Sequence, residues 1–381
     1  MERLTAPRFS EAPFTLAWEI TRACALQCRH CRATAQRRRD AQELTTEEGF
    51  HLVDQVADMG TVVLVVTGGD PLMRPDVYDL IGRGAARGLR VAFSPSATGL
   101  ANAEALRRAR EAGVHMVHVS LDGATAATHD GFRRVHGSYG RTLRMLEDLR
   151  EMGVPLQVGT TVSRYSWKEL PAIAALVAAA GARVWSVFFL VPTGRALAED
   201  MVSPRQHEVA YRWLAGLSGR VAYRVRTTAA PAYRRVVMQR SAGKVAGAPL
   251  GRPGSVMAGA GYDLGRMGVD ETVNDGKGFC FVDHVGNVCP SGFLPLVAGN
   301  VRETPLAQVY RHSTLFRALR DPSLLQGKCG ICGFKEACGG SRGRAYALSG
   351  DYLAADPSCV YQPAGWGAAV ESGARGALAV R

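Results

Sequence analysis

Between Thr45 and Val191 the chain repeats one pattern: a stretch of helical period, then a short run of β-branched and apolar residues. Thr61 to Thr67 has the continuous apolar form of a strand buried on both faces, the kind that builds parallel sheets. It follows a helix running to about Asp58, opened by Thr45-Thr-Glu-Glu48, the signature of a capping box. The same alternation predicts helices near 76–87, 102–112, 139–152 and 170–180, with Asn102 as an N-cap. It predicts strands near 90–94, 114–120, 156–162 and 184–191. With the apolar run Thr15 to Ile20 these make six serial βα units. Strands joined in this way lie parallel and gather ligands at their carboxyl ends. The pattern alone leaves a partial barrel and a doubly wound sheet both open.

Directly after the first strand comes Cys24-Ala-Leu-Gln-Cys28-Arg-His-Cys31. Three soft thiolates on one short loop suit an iron–sulfur cluster better than zinc, which takes four closed ligands in a structural site. A cluster held by three cysteines keeps one iron free for another molecule. The bland alternative is three incidental buried or free thiols. A second set, Cys329, Cys332, Cys338 and Cys359, offers four ligands and closes a site, although Cys329-x2-Cys332 alone is also half of a zinc ribbon. Nine cysteines, an odd count at metal-like spacings, fit a reducing compartment rather than a secreted disulfide set. The N-terminus lacks a signal-peptide core and no apolar run reaches membrane-spanning length, so a cytoplasmic protein is expected.

The net charge of +12 suits nucleic acid, an anionic surface or an acidic substrate. Its arginines are scattered, without a dense block interleaved with aromatics, so nucleic acid is disfavoured. A solvated basic surface accounts for the charge, and a carboxylate-bearing substrate is its preferred functional meaning.

The C-x3-C-x2-C loop resembles the signature of the radical SAM superfamily, with His30 where an aromatic residue usually precedes the last cysteine. The resemblance implies a six-strand partial TIM barrel in which Cys24, Cys28 and Cys31 bind a [4Fe-4S] cluster whose open iron chelates S-adenosylmethionine (SAM). One electron then cleaves SAM to methionine and a 5′-deoxyadenosyl radical. Gly68-Gly69-Asp70-Pro71, after the second strand, resembles the family's G-G-E-P motif and implies a grip on the SAM amino group, with Asp70 in place of glutamate. Read alone, that turn is equally an ordinary loop. Ser120-Leu-Asp122-Gly and His129-Asp-Gly-Phe-Arg133 resemble a subgroup pattern that places Ser120 and Arg133 on SAM, while Asp122 is as well suited to fixing the turn. Ser96 and Thr160–Thr161, at the ends of the third and fifth strands, are weaker candidates for the same site.

The last cysteines resemble the SPASM extension of radical SAM enzymes, specifically the ligands of its second auxiliary [4Fe-4S] cluster. The pattern is incomplete: Arg342 stands where a further cysteine belongs, and Cys289 comes two places early after Gly286. Two [4Fe-4S] clusters are therefore expected, a third is not, and Cys280 with Cys289 is a candidate partial site or a metal-free pair. Arg342 and Arg344 suit either a cluster-neutralising role, a contact to an acidic substrate, or a solvated basic loop. The expected organisation is an N-terminal segment 1–14, a barrel 15–220, a connecting region 221–278, an auxiliary domain 279–363 and a tail 364–381. Within the connecting region, Ser241 to Gly278 is glycine-rich and reads as a long loop, either a lid or an inert linker.

The resemblance is shared by two groups. One comprises tetrapyrrole-modifying enzymes, whose Trp-Glu-x-Thr-Arg-x-Cys start matches Trp18 to Cys24; the other comprises maturases of ribosomal peptides. The segment before Cys24 is too short for a leader-binding module, and the positive charge suits propionates, so a tetrapyrrole substrate is preferred over a peptide. A flavodoxin- or ferredoxin-like electron donor is implied. The competing classes are a non-catalytic iron–sulfur electron carrier and a zinc-bound structural or nucleic-acid-binding protein.

Overall fold

The computed structural model describes residues 7–245 and 272–366. Most of the glycine-rich stretch (246–271), the first six residues and the tail from 367 lie outside them. Strands β1 (Thr15–Glu19), β2 (Val63–Thr67), β3 (Arg90–Phe93), β4 (Met116–Ser120), β5 (Leu156–Val162) and β6 (Val184–Phe189) pair in chain order, all parallel. Helices α1 (Thr46–Asp58), α2 (Val77–Ala86), α3 (Ala103–Glu111), α4 (Ala126–Arg133), α5 (Ser138–Glu151) and α6 (Leu170–Ala179) occupy the crossovers. The caps form as the residue types dictate. Thr45 N donates to Glu48 Oε2 at 2.8 Å while Glu48 N donates to Thr45 Oγ1 at 3.2 Å, and Asn102 Oδ1 accepts from Ala105 N at 2.9 Å.

Beyond β6 the chain continues as α7 (Pro204–Leu217), then β7 (Arg224–Thr228), a seventh parallel strand against β6, then α8 (Ala232–Val245). β8 (Phe279–Val282) returns to the other side of β1 and pairs with it in parallel. β9 (Asn287–Cys289) and β10 (Gly299–Asn300) follow in antiparallel fashion, giving the order β10-β9-β8-β1-β2-β3-β4-β5-β6-β7. The C-terminal part adds α9 (Leu306–His312), α10 (Thr314–Arg320), α11 (Gly327–Gly330) and α12 (Arg342–Ser349). The architecture is mixed α/β, built on a mostly parallel sheet that does not close among the described residues. No helix among the described residues is long and apolar enough to cross a membrane.

Alternation along the strands decides which side chains meet the helices. Leu16, Trp18, Leu64, Val66, Val91 and Phe93 enter the outer core under α1 and α2, and Trp18 is fully buried. α1 approaches that ring through Gly49, where a Cβ would stand 2.7 Å from the indole. Leu156, Val158, Trp185, Val187 and Val225 fill a second core under the later helices. The opposite, inner face carries a different set: Glu19, His118, Ser120, Gly159, Thr161 and Ser186.

Candidate active site

The cysteine loop is folded by the residues that precede it. Glu19, fully buried at the end of β1, pairs with Arg22 at 2.9 Å and Arg32 at 2.8 Å, and His284 stands 3.4 Å away. Burial works to raise its pKa, but Arg32, His284 and Arg22 bring it down to about 2. Thr21 donates to Glu43 at 2.5 Å and accepts from Ala23 N at 3.0 Å, turning the chain out of β1. Cys24 and Cys28 are buried together with Leu26, and Cys31 packs against them.

The loop after β2 is pressed onto this backbone. Gly69 N donates to Thr21 O and Asp70 N to Ala23 O, both at 2.7 Å. A Cβ on Gly68 would lie 2.6 Å from Thr21 O, and one on Gly69 would lie 2.5 Å from Ala23 O. The two glycines are therefore required by the cysteine loop itself. The Asp70 side chain is fully buried: Thr98 Oγ1 donates to it at 2.7 Å and Leu72 N at 3.2 Å. Burial raises its pKa against those donors. Its carboxylate caps the turn that follows β2. Ser96 Oγ donates to Gly69 O at 2.8 Å and lies 3.7 Å from Cys24 Sγ.

From β4 and α4 come Asp122 and Arg133. They form a buried ion pair at 2.5 Å, and Arg133 Nη1 also reaches Cys28 Sγ at 3.5 Å. Asp122 further accepts from Thr161 N at 2.7 Å, so it fixes the turn and holds the guanidinium as well. Burial would raise its pKa, but Arg133, with His30 and His129, brings it down to about 2. His30 stacks on Phe132 with ring centroids 4.4 Å apart and 4° between planes. Burial lowers its pKa to about 4, so the ring is neutral. Ser120 ends β4 on the inner face, in register with Gly159.

Thr160 requires a correction. It is fully buried on the outer side of β5, where its hydroxyl donates to Leu121 O at 2.8 Å and accepts from Trp185 Nε1 at 2.9 Å. The residue that faces inward is Thr161, one step along the alternation. Arg195 went unmarked in the sequence. Its Nε donates to Cys28 O at 3.1 Å and its N–H to Cys31 O at 3.0 Å, while Gly194 (φ 66°) lets the loop after β6 close on Cys31. The signal was the Gly-Arg step directly beyond a strand end.

Two buried guanidinium donors around the loop, Arg133 Nε and Arg195 Nη2, have no hydrogen-bond partner among the described residues. Orphaned cationic donors beside three thiols fit an anionic, thiolate-held group. Burial pushes the Cys24 thiol up to about 11 and the Cys28 thiol upward. Without iron these sulfurs stay protonated, and cluster loading releases the protons.

Cys329, Cys332, Cys338 and Cys359 line one pocket, with Arg235 and Lys335 beside them. N–H groups already aim at three of the sulfurs: Phe334 N at Cys332 and Gly340 N at Cys338, both at 3.4 Å, and Arg342 Nη2 at Cys329 at 3.9 Å. Arg342 and Arg344 are fully buried, which corrects the reading of a solvated or substrate-facing loop. Arg342 donates to the carbonyls of Tyr352 and Ala354. Arg344 ties Asp356 to the carbonyls of Leu190 and Ala229. Cys280 and Cys289 are not brought onto one face. Cys280 lies in the outer core with Leu16, whereas Cys289 pairs with Phe281 on the inner face.

The radical SAM superfamily model matches residues 18–177. An AdoMet-dependent heme synthase of Methanosarcina barkeri is 42% identical over 93% of this chain and 98% of its own length. The chain belongs to the radical SAM superfamily. A mycofactocin maturase, MftC of Mycolicibacterium smegmatis, is 32% identical over 94% of the chain and 84% of its own length. Among solved structures, SuiB of Streptococcus suis bound to its precursor peptide SuiA has the same fold, with a TM-score of 0.70 at 14% identity. It matches 92% of this chain and 76% of SuiB. The protein is thus a radical SAM enzyme, and its cofactors include SAM and a [4Fe-4S] cluster.

Proposed function

We propose that this radical SAM enzyme is a heme synthase, acting on a carboxylate arm of an iron tetrapyrrole. The observation that carries the reading is 42% identity, almost end to end, to an AdoMet-dependent heme synthase. When bound, the cluster and SAM supply a carbon radical that takes a hydrogen atom from the substrate. Cys24, Cys28 and Cys31 hold that cluster, and Arg133 and Arg195 offset its negative charge. The Gly68–Pro71 backbone, Ser96 and Ser120 would hold SAM. Cys329, Cys332, Cys338 and Cys359 would hold one auxiliary [4Fe-4S] cluster, which would supply electron transfer there. Cys280 and Cys289, on opposite faces, hold none. The electron donor is flavodoxin- or ferredoxin-like, and the setting is cytoplasmic.

The test is anaerobic incubation of the reconstituted protein with SAM, dithionite and iron coproporphyrin III, followed by chromatography and mass spectrometry. Heme and 5′-deoxyadenosine are expected together, and neither from the Cys24/Cys28/Cys31→Ala protein. Release of 5′-deoxyadenosine with the porphyrin left intact sinks the substrate. A second reading, maturation of a ribosomal peptide, is supported by the 32% identity to MftC and predicts a modified peptide instead.

A further inference from the structure

β7 lays Arg224-Val-Arg226 along the open edge of the parallel sheet. Val225 enters the outer core, so alternation turns Arg226 to the inner face. Its register neighbours across that face are Ser186 on β6, Gly159 on β5 and Ser120 on β4. Small residues therefore fill the whole row between Ser120 and Arg226. Over Gly159 lies the flat ring of His118, which takes the space a Cβ would need. Burial lowers the His118 pKa to about 4, so this floor is uncharged.

Arg226 is exposed to solvent. The surrounding protein, then Arg224 and Arg234, lower its pKa to about 10, and it stays charged near neutral pH. Both of those neighbours are cations, and no carboxylate among the described residues is found acting on it. Arg234 donates to the carbonyls of Val273 and Ala337, the latter adjacent to Cys338. Arg226 thus stands on the side of the inner face nearest the second cysteine pocket. A planar guanidinium held among cations and open to solvent is a fork for a carboxylate. Three strand spacings separate it from Ser120, roughly 14 Å. That span leaves room for a flat macrocycle between the SAM end of the row and a guanidinium that takes one of its acid arms.

We infer that Arg226 is the carboxylate anchor of the substrate site: it grips one acid arm of the tetrapyrrole at the β7 edge, across the row from the SAM held at Ser120. The inference rests on the tetrapyrrole reading above. Its test is anaerobic absorption titration of the reconstituted holoprotein with iron coproporphyrin III. Arg226→Gln should bind about 10- to 100-fold more weakly than wild type, the loss of a charge-assisted bidentate contact, with Arg226→Lys between them. Wild type should bind the tetramethyl ester of the same porphyrin at least as weakly as Arg226→Gln binds the acid. Iron content and melting temperature of the variants report an intact fold, and the ester comparison needs no variant. Affinity of Arg226→Gln within twofold of wild type, or equal wild-type affinity for acid and ester, overturns the anchor. A wild-type protein that takes up no porphyrin removes the tetrapyrrole reading and the anchor with it.

Discussion

Replacing Asp122 isolates the one ion pair that joins the β4 turn to the cysteine loop. Asp122 is 1% exposed, so its partner Arg133 has no screened alternative when the charge is removed. Its pKa stands at about 2 against an ordinary 3.8, close to two units, which is worth about 2–3 kcal/mol of folding stability. Breaking a buried pair on one side costs about 3–5 kcal/mol, because the surviving ion is left buried alone. Asp122→Asn keeps an acceptor for Thr161 N, so the lower part of that range, about 3 kcal/mol, is expected. In a protein of this size that lowers the melting temperature by roughly 4 °C. The double variant Asp122→Asn/Arg133→Met removes both charges and should recover part of the loss. The sign with pH follows from the depressed pKa. The stabilisation is complete above the unfolded carboxylate pKa near 4 and disappears as pH falls towards 2. Anaerobic thermal melts of the four proteins of this cycle, followed by circular dichroism, give the coupling directly. An Asp122→Asn protein that melts within 1 °C of wild type, or a double variant that simply adds the two losses, refutes the reasoning.

Three further outcomes are expected. Gly69→Ala drives a Cβ into Ala23 O and Arg22 O, both backbone, so the cysteine loop must shift; iron bound after anaerobic reconstitution should fall by about four per chain with the helical circular dichroism retained. The Cys329/Cys332/Cys338→Ala protein should lose about four irons of about eight while still releasing 5′-deoxyadenosine without substrate, measured by chromatography. Arg344→Met strands Asp356 and frees the carbonyls of Leu190 and Ala229, and should lower stability by about 3 kcal/mol in a urea titration, more than any exposed arginine such as Arg107.

The parallel sheet was legible because each of its first six strands is a short run dominated by β-branched and apolar residues, and the caps at Thr45 and Asn102 marked where two helices begin. β7 was not, since Arg224 and Arg226 break the apolar pattern on the inner face of an edge strand. α7 carried a readable start that was passed over: Ser203 and Gln206 form a capping box around Pro204. The cysteine loop was visible from spacing alone, but its supports were not. Glu19, Thr21 and Arg195 act through contacts with residues far along the chain, which a local motif does not encode. Thr160 and Thr161 differ only in which face of β5 they occupy, and a one-residue change of register exchanges them. Arg342 and Arg344 read as surface residues by type, yet both are buried because backbone carbonyls and Asp356 satisfy them.

The pairing of β1 with β8 has a consequence for the order in which the protein matures. One side of β1 stays unpartnered until Phe279–Val282 has been synthesised, about 260 residues later, roughly 10–50 s at 5–20 residues per second. Over that interval the nascent barrel carries a raw sheet margin next to the cysteine loop, and His284, which backs Glu19, does not yet exist. Metal insertion therefore belongs after translation, once the far end of the polypeptide has zipped the first strand shut.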